Sequence, residues 1–263
     1  MGFDISYHPI KKEEIKEWYF DALKDASSIS KTAQQFNIDD FYQQKYIDII
    51  QIALQTQPSE TFETTHGYYI ANIQGICRTY FYTRGSAYSF LISEKPYFKN
   101  YTTDLKALFS DSFENPISNS ITTNYSSGVY VSEEQVAKLL HDYQTDENVK
   151  NDLDTFYSHG RIEIFLKALQ YAKENGLGVL EATEVVEPNP MDLNQSKCYS
   201  NLFNCDRDGA LLYREAAMEQ IRAIEEQNNI QSGEIANKAA YVTTQVPETE
   251  QKEKKGFWKH LFG

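Results

Sequence analysis

Asn204, Asp206, Asp208 and Glu215 form the sharpest chemical pattern in the chain, within the run NCDRDGALLYRE at 204–215. An EF-hand loop needs hard oxygen ligands at alternate positions, then a glycine for the turn, an apolar residue and a closing glutamate. Gly209 and Leu211 fall where the glycine and the apolar residue belong. Asn204 stands where an aspartate opens the loop, and Leu212 stands where a further oxygen ligand is usual. The competing reading is a loop in which Asp206 or Asp208 caps the next helix, with Glu215 on its exposed face. We expect the cap and no cofactor; calcium on Asn204, Asp206, Asp208 and Glu215 is the alternative.

Cys198 and Cys205 lack the second ligand pair of a zinc site, and with Cys77 the thiols number three. Reduced, buried cysteines are expected. Asp4, Ser6 and His8 would share one face of a strand, where successive residues stand about 6.5 Å apart. That spacing argues against a triad and for a hydrogen-bonded or exposed strand edge. Glu181, Glu184 and Glu187 offer carboxylates for acid–base work, but a solvated edge is the simpler expectation. His66, His141 and His159 are scattered, and the sequence has no Walker loop, dinucleotide glycine pattern or nucleophile elbow. Met1–Ser6 fits a myristoylation pattern, yet the same residues read as the first strand. The leaning is towards a protein that is not an enzyme, with no catalytic residue assigned.

Partner contact is expected from the other end. Phe257, Trp258, Leu261 and Phe262 fall on one side if residues 256–263 become helical, flanked by Lys254, Lys255 and Lys259. This short amphipathic segment is expected to dock on a protein partner in preference to a membrane.

Elements must position these groups. Residues 2–8 alternate Phe3, Ile5 and Tyr7 against Asp4, Ser6 and His8, a strand that Pro9 should end. Helices are expected from residue 11 with Ile15, Trp18, Tyr19 and Leu23 inward, and over 39–55 with Phe41, Tyr46, Ile47, Ile50 and Leu54 as the apolar stripe, widened by Ile49 and Ile52. Residues 65–82 are read as one helix ending near Gly85, with 86–93 left open between helix and strand. Residues 110–127 read as a long loop and 129–131 as a short strand. Ser132 and Gln135 make a capping box, and Gly160, Gly176 and Leu177 bracket the next helix. A strand over 178–186 and a helix over 210–227 follow. The sum is a predominantly helical α+β domain over 1–227 with a few short strands. A flexible polar linker over 228–255 and a disordered tail complete it.

Composition narrows the function classes. Hydrophobic residues at 41% and charged ones at 24% suit an ordinary folded domain, and no apolar run reaches the ~20 residues of a membrane helix. Twenty-five Lys and Arg against 38 Asp and Glu give a net charge of −13, which disfavours nucleic acid and favours a partner with a basic surface. Residues 247–263 carry one net positive charge, which leaves −14 on the rest. The 19 tyrosines outnumber the 15 phenylalanines, so many rings should be buried with the hydroxyl on a polar partner.

Four segments resemble a family of uncharacterised bacterial proteins: MGFDISYHP at 1–9, NYSSGVYV at 124–131, LEATEVVEPNPMDLN at 180–194 and YSNLFNCD at 199–206. The resemblance implies no activity and transfers no catalytic residue. Small acidic bacterial proteins of this kind are similar to toxin immunity proteins. It implies a cytoplasmic interaction module that binds and blocks a cognate toxin. An enzyme built from Asp4, His8, Glu181 and Asp206, or a membrane adaptor acting through the tail, are the alternatives.

Overall fold

The computed structural model describes residues 3–56, 63–104 and 129–243. Strand β1 (Asp4–Ile10) runs through the middle of a five-stranded sheet. It pairs antiparallel with β2 (Tyr80–Arg84), with Tyr7 opposite Phe81, and with β4 (Gly178–Thr183), with Ile10 opposite Gly178. The short β3 (Tyr130–Val131) lies antiparallel on β4, and β5 (Cys205–Asp206) lies parallel on β2. The order is β3-β4-β1-β2-β5.

Pro9 does not end β1. The ladder to β2 stops at Tyr7, so from His8 onward one edge of β1 has no strand partner. A residue without an N–H loses nothing on such an edge.

Helices cover both faces of the sheet. Helix α1 (residues 12–24) widens into a π-helical turn over Lys16–Phe20, which buries Trp18, Tyr19 and Phe20 in succession. Three consecutive buried side chains do not fit one face of a regular α-helix, and the wider turn lets them share it. Arg78 braces this region, with two hydrogen bonds to the Glu14 carboxylate and its guanidinium 5.0 Å from the Trp18 ring. Helix α2 (Ser28–Gln35) and helix α3 (Asp40–Ala53) follow, and Asp39 caps α3 by accepting from Tyr42 N at 2.9 Å. The stripe expected on this helix is corrected: its buried side chains are Tyr46, Ile49, Ile50 and Ala53, while Phe41 and Leu54 at the two ends face solvent.

Helix α4 (Tyr68–Cys77) ends where Arg78 turns extended, and β2 takes over two residues later. The single helix expected over 65–82 is therefore a helix and a strand. Every residue from Tyr69 to Cys77 is buried, so no polar face marked the boundary. Helix α5 (Tyr88–Glu94) settles the open segment as helical. Helix α6 (Glu133–Thr145) begins with the Ser132–Gln135 capping box. Helix α7 (Glu147–Phe156), capped by Asp146, had no counterpart in the sequence reading. Helix α8 (Arg161–Glu174) closes on Gly176 at φ +60, with Leu177 N donating to Ala172 O. The architecture is α+β and mostly helical. The loop expected over 110–127 lies outside the described residues.

The chain divides into two compact units, residues 1–187 with 198–209, and residues 188–197 with 210 onward. Helix α9 (Asp208–Gln227) leads into the second, which adds α10 (Glu234–Thr243). The linker expected over 228–255 is thus helical across Glu234–Thr243. Its anchor is the buried Glu225, whose carboxylate accepts from Gly233 N at 2.8 Å and Ile235 N at 2.9 Å. The remainder of that linker beyond residue 243, and the segment 256–263, lie outside the described residues.

Candidate functional site

Alternation along β1 sends Tyr7 to one face of the sheet and His8 to the other, and different chemistry collects on each. On the His8 face the partners come from α4. Gln74 Nε2 donates to Pro9 O at 3.0 Å and Thr79 O at 3.1 Å, which leaves its carbonyl oxygen to accept from His8 Nδ1 at 2.7 Å. His8 Nε2 is then the acceptor, and Ser6 Oγ donates to it at 2.8 Å. The order hydroxyl, imidazole, orienting amide is that of an activated nucleophile. Sequence spacing argued against a triad of Asp4, Ser6 and His8 on one strand, and Asp4 is indeed paired elsewhere, while the serine and imidazole close the gap between them.

Access decides what this chain can do. Ser6, His8 and Gln74 are each no more than 1% exposed. Burial pulls the His8 pKa from 6.5 down to about 3, only partly offset by the Gln74 hydrogen bond, so the ring is neutral. The Tyr80 ring stacks on His8 at 5.0 Å and 10°. The trio is a sealed polar brace between β1 and α4. Of the two expected alternatives, hydrogen-bonded or exposed, the structure shows the hydrogen-bonded one, and on a central strand where an edge was expected.

On the Tyr7 face, Glu181 sits in register opposite Tyr7 and is 2% exposed. Its carboxylate accepts from Tyr88 N at 2.5 Å and Ser89 N at 3.3 Å, at the start of α5. The Tyr7 hydroxyl lies 3.4 Å from that of Tyr157, and burial followed by the Glu181 charge holds it protonated far above the usual range. Glu181 is a buried helix cap, whereas a solvated edge was expected. Glu184, at φ +60, is the exposed member of the glutamate series.

Asp4, His8, Glu181 and Asp206 are not brought together. Asp4 accepts from Tyr82 Oη at 2.6 Å and Arg84 Nη1 at 2.5 Å. His8 and Glu181 point to opposite faces. Asp206 and Asp208 both accept from Lys167 Nζ, at 2.7 and 2.5 Å.

The EF-hand-like run spans a short strand and the start of a helix. Asn204 donates its side-chain amide to Gly75 O and Ile76 O, each at 3.0 Å, and Cys205–Asp206 is strand β5. Asp206 Oδ1 accepts from Asp208 N at 3.1 Å, the cap at the start of α9, and Glu215 is an exposed residue along that helix. Gly209 is required by a close approach, because a Cβ there would stand 1.7 Å from Tyr82 O. Phe257, Trp258, Leu261 and Phe262 lie outside the described residues.

Sequence reasoning missed Gln74 and Lys45. Gln74 left one signal, a glutamine inside a helix apolar on every side, which must find partners when buried. Lys45 is half-buried and donates to Cys198 O at 3.1 Å and Ser200 O at 2.7 Å, contacts 153 and 155 residues away that no local pattern announces. Comparison with protein families, curated proteins and solved structures finds no match to this chain. Among the described residues, no helix is long and apolar enough to cross a membrane.

Proposed function

We propose that the chain is a protein-interaction module whose partner presents a basic surface, most concretely a cytoplasmic immunity protein that binds and blocks a cognate toxin. One observation carries this reading. Helix α3 and its C-cap residue Leu54 offer Asp40, Phe41, Asp48 and Leu54 to solvent, with Phe41 70% and Leu54 61% exposed. Its only basic residue, Lys45, is turned onto the carbonyls of Cys198 and Ser200. The outward face is therefore acidic and apolar together, which suits apolar anchors steered into place by opposite charge. The net charge of −13 supports the same partner chemistry.

The test is capture of the partner from the organism that encodes the chain, at about 0.05 M and about 0.5 M salt, because exposed charge attraction is screened at the higher value. A basic protein recovered at low salt and lost at high salt is expected, and its toxicity to cells should be relieved by co-expressing this chain. A partner indifferent to salt, or one whose toxicity is not relieved, overturns the reading.

A further inference from the structure

Asn175 and Gly176 are the one asparagine–glycine pair in the chain. Such a pair is reactive because a residue without a side chain lets its backbone nitrogen approach the amide carbon of the preceding asparagine. Here the pair ends a helix. Asn175 is the C-cap of α8, Gly176 follows at φ +60, and both are exposed.

The intact cap keeps the reacting groups apart. Asn175 Nδ2 donates to Tyr171 O at 2.8 Å, and Gly176 N donates to Lys173 O at 3.2 Å. At Asn175 ψ is 4°, so the Gly176 nitrogen nearly eclipses the nitrogen of Asn175 and is turned well away from Cβ. A five-membered ring through Cβ and Cγ needs that nitrogen on the same side as Cβ. Leu177 fixes the turn, with its N–H donating to Ala172 O at 2.8 Å and its side chain buried. All of these bonds belong to the last turn of a helix and the residues just after it, the kind of segment that opens locally while the rest stays folded.

We propose that Asn175–Gly176 is a covalent modification site gated by the fold: a deamidation site closed in the intact cap, which reacts when the last turn of α8 opens. On opening, the Gly176 nitrogen loses its proton to base and attacks Asn175 Cγ. A bond forms between that nitrogen and Cγ, the bond from Cγ to Nδ2 breaks, and Nδ2 takes up a proton and leaves as ammonia. Water, the only co-reactant, then opens the cyclic imide at either carbonyl and leaves aspartate or isoaspartate in place of Asn175. Neither product suits the cap. The new carboxylate has no hydrogen to give Tyr171 O, and it adds negative charge beside Glu174 at the negative end of the helix dipole. Isoaspartate also lengthens the main chain by a methylene. Gly178, two residues beyond Gly176, is already in register with Ile10 in the sheet, so the turn from α8 to β4 has little length to absorb it. Deamidation thus turns a transient opening of this junction into a permanent one.

The test follows the reaction in the full chain, folded or unfolded in urea, in mildly alkaline buffer. Trypsin releases residues 174–197, with the pair at the start of the peptide, and fragment masses place the exchange of amide for acid. In the unfolded chain Asn175 should react before the other asparagines, and in the folded chain at least about tenfold more slowly. Urea well below the unfolding midpoint should leave the folded rate nearly unchanged, because a local opening exposes little surface. Asn175→Asp should raise hydrogen exchange at the Leu177 amide several-fold while the β1 amides stay protected. An unmodified Asn175 in the folded chain, equal rates folded and unfolded, a folded rate that climbs with the first additions of urea, or unaltered exchange at Leu177 in the variant would each overturn the proposal.

Discussion

His8 and His66 are buried as neutral imidazoles, with burial pulling them from 6.5 to about 3 and about 4. Their titration makes stability depend on pH with a definite sign. Below pH 6.5 the unfolded chain takes up protons that the folded chain refuses until pH falls to about 4 for His66 and about 3 for His8. The stabilisation is therefore complete above 6.5 and is lost as pH falls through that window, at up to about 1.4 kcal/mol per pH unit for each ring. Urea titrations between pH 5 and 8 should show this loss on the acid side, and His8→Gln should make the slope shallower by about one proton. Stability independent of pH over that range would contradict the neutral assignment. Gln74→Leu removes a near-isosteric side chain but strips partners from His8 Nδ1, Pro9 O and Thr79 O. A cost of about 3 kcal/mol in urea unfolding is expected, since unsatisfied buried polar groups cost about 1–3 kcal/mol each. Single residues were the least legible level of this molecule. Ser6 and His8 were visible as a polar face, but the sequence spacing described Cα positions, and the contact is made by side-chain direction. Gln74 reaches His8 across 66 residues of chain, which no window of local sequence spans.

Helix ends that draw on their own neighbours were readable: Ser132 with Gln135, and Gly176 with Leu177. Ends satisfied from a distance were not. Glu181 reaches back 93 residues to cap α5 at Tyr88 N, and Glu225 turns the residues after α9 into a second helix. A buried carboxylate accepting backbone N–H groups replaces the short Ser or Asp cap, so the local signature is missing. The π-helical turn at Lys16–Phe20 escaped for a related reason, because a run of three aromatic residues fits no single helical period. Glu225→Ala should free Gly233 N and Ile235 N and melt α10, ten residues long. Far-UV circular dichroism would lose the corresponding helical signal, and amide exchange would rise across Glu234–Thr243 while the β1 and β4 amides stay protected. Unchanged protection of Glu234–Thr243 in that variant would mean that packing, and not the carboxylate, holds the helix.

At the scale of the whole molecule, length, charge and helix content were legible, while the closure of the sheet was not, because β1 and β4 pair residues as far apart as Ile5 and Thr183. The acidic α3 face carries the clearest whole-molecule test. Phe41→Ser and Asp48→Lys alter exposed side chains, so melting temperature should hold within about 2 °C while partner affinity falls, about tenfold or more for the pair. Deleting residues 256–263, with Phe257, Trp258, Leu261 and Phe262, should likewise weaken capture and leave the melting temperature of the body unchanged. Calorimetry and binding measured on the same samples separate the two effects; loss of melting temperature in either variant would assign those residues to the fold. The strand order also has a consequence for synthesis. Within this sheet the central strand is made before its neighbours, and its β4 partner is translated more than 160 residues later. At about 5–20 residues per second, a ribosome leaves β1 unpaired on that side for on the order of ten seconds. During this interval Ile5, Tyr7 and Ile10 have no β4 strand beside them, and β1 is an open template for any other extended chain. The sheet can therefore lock around β1 only once β4 has been made, more than 160 residues after it.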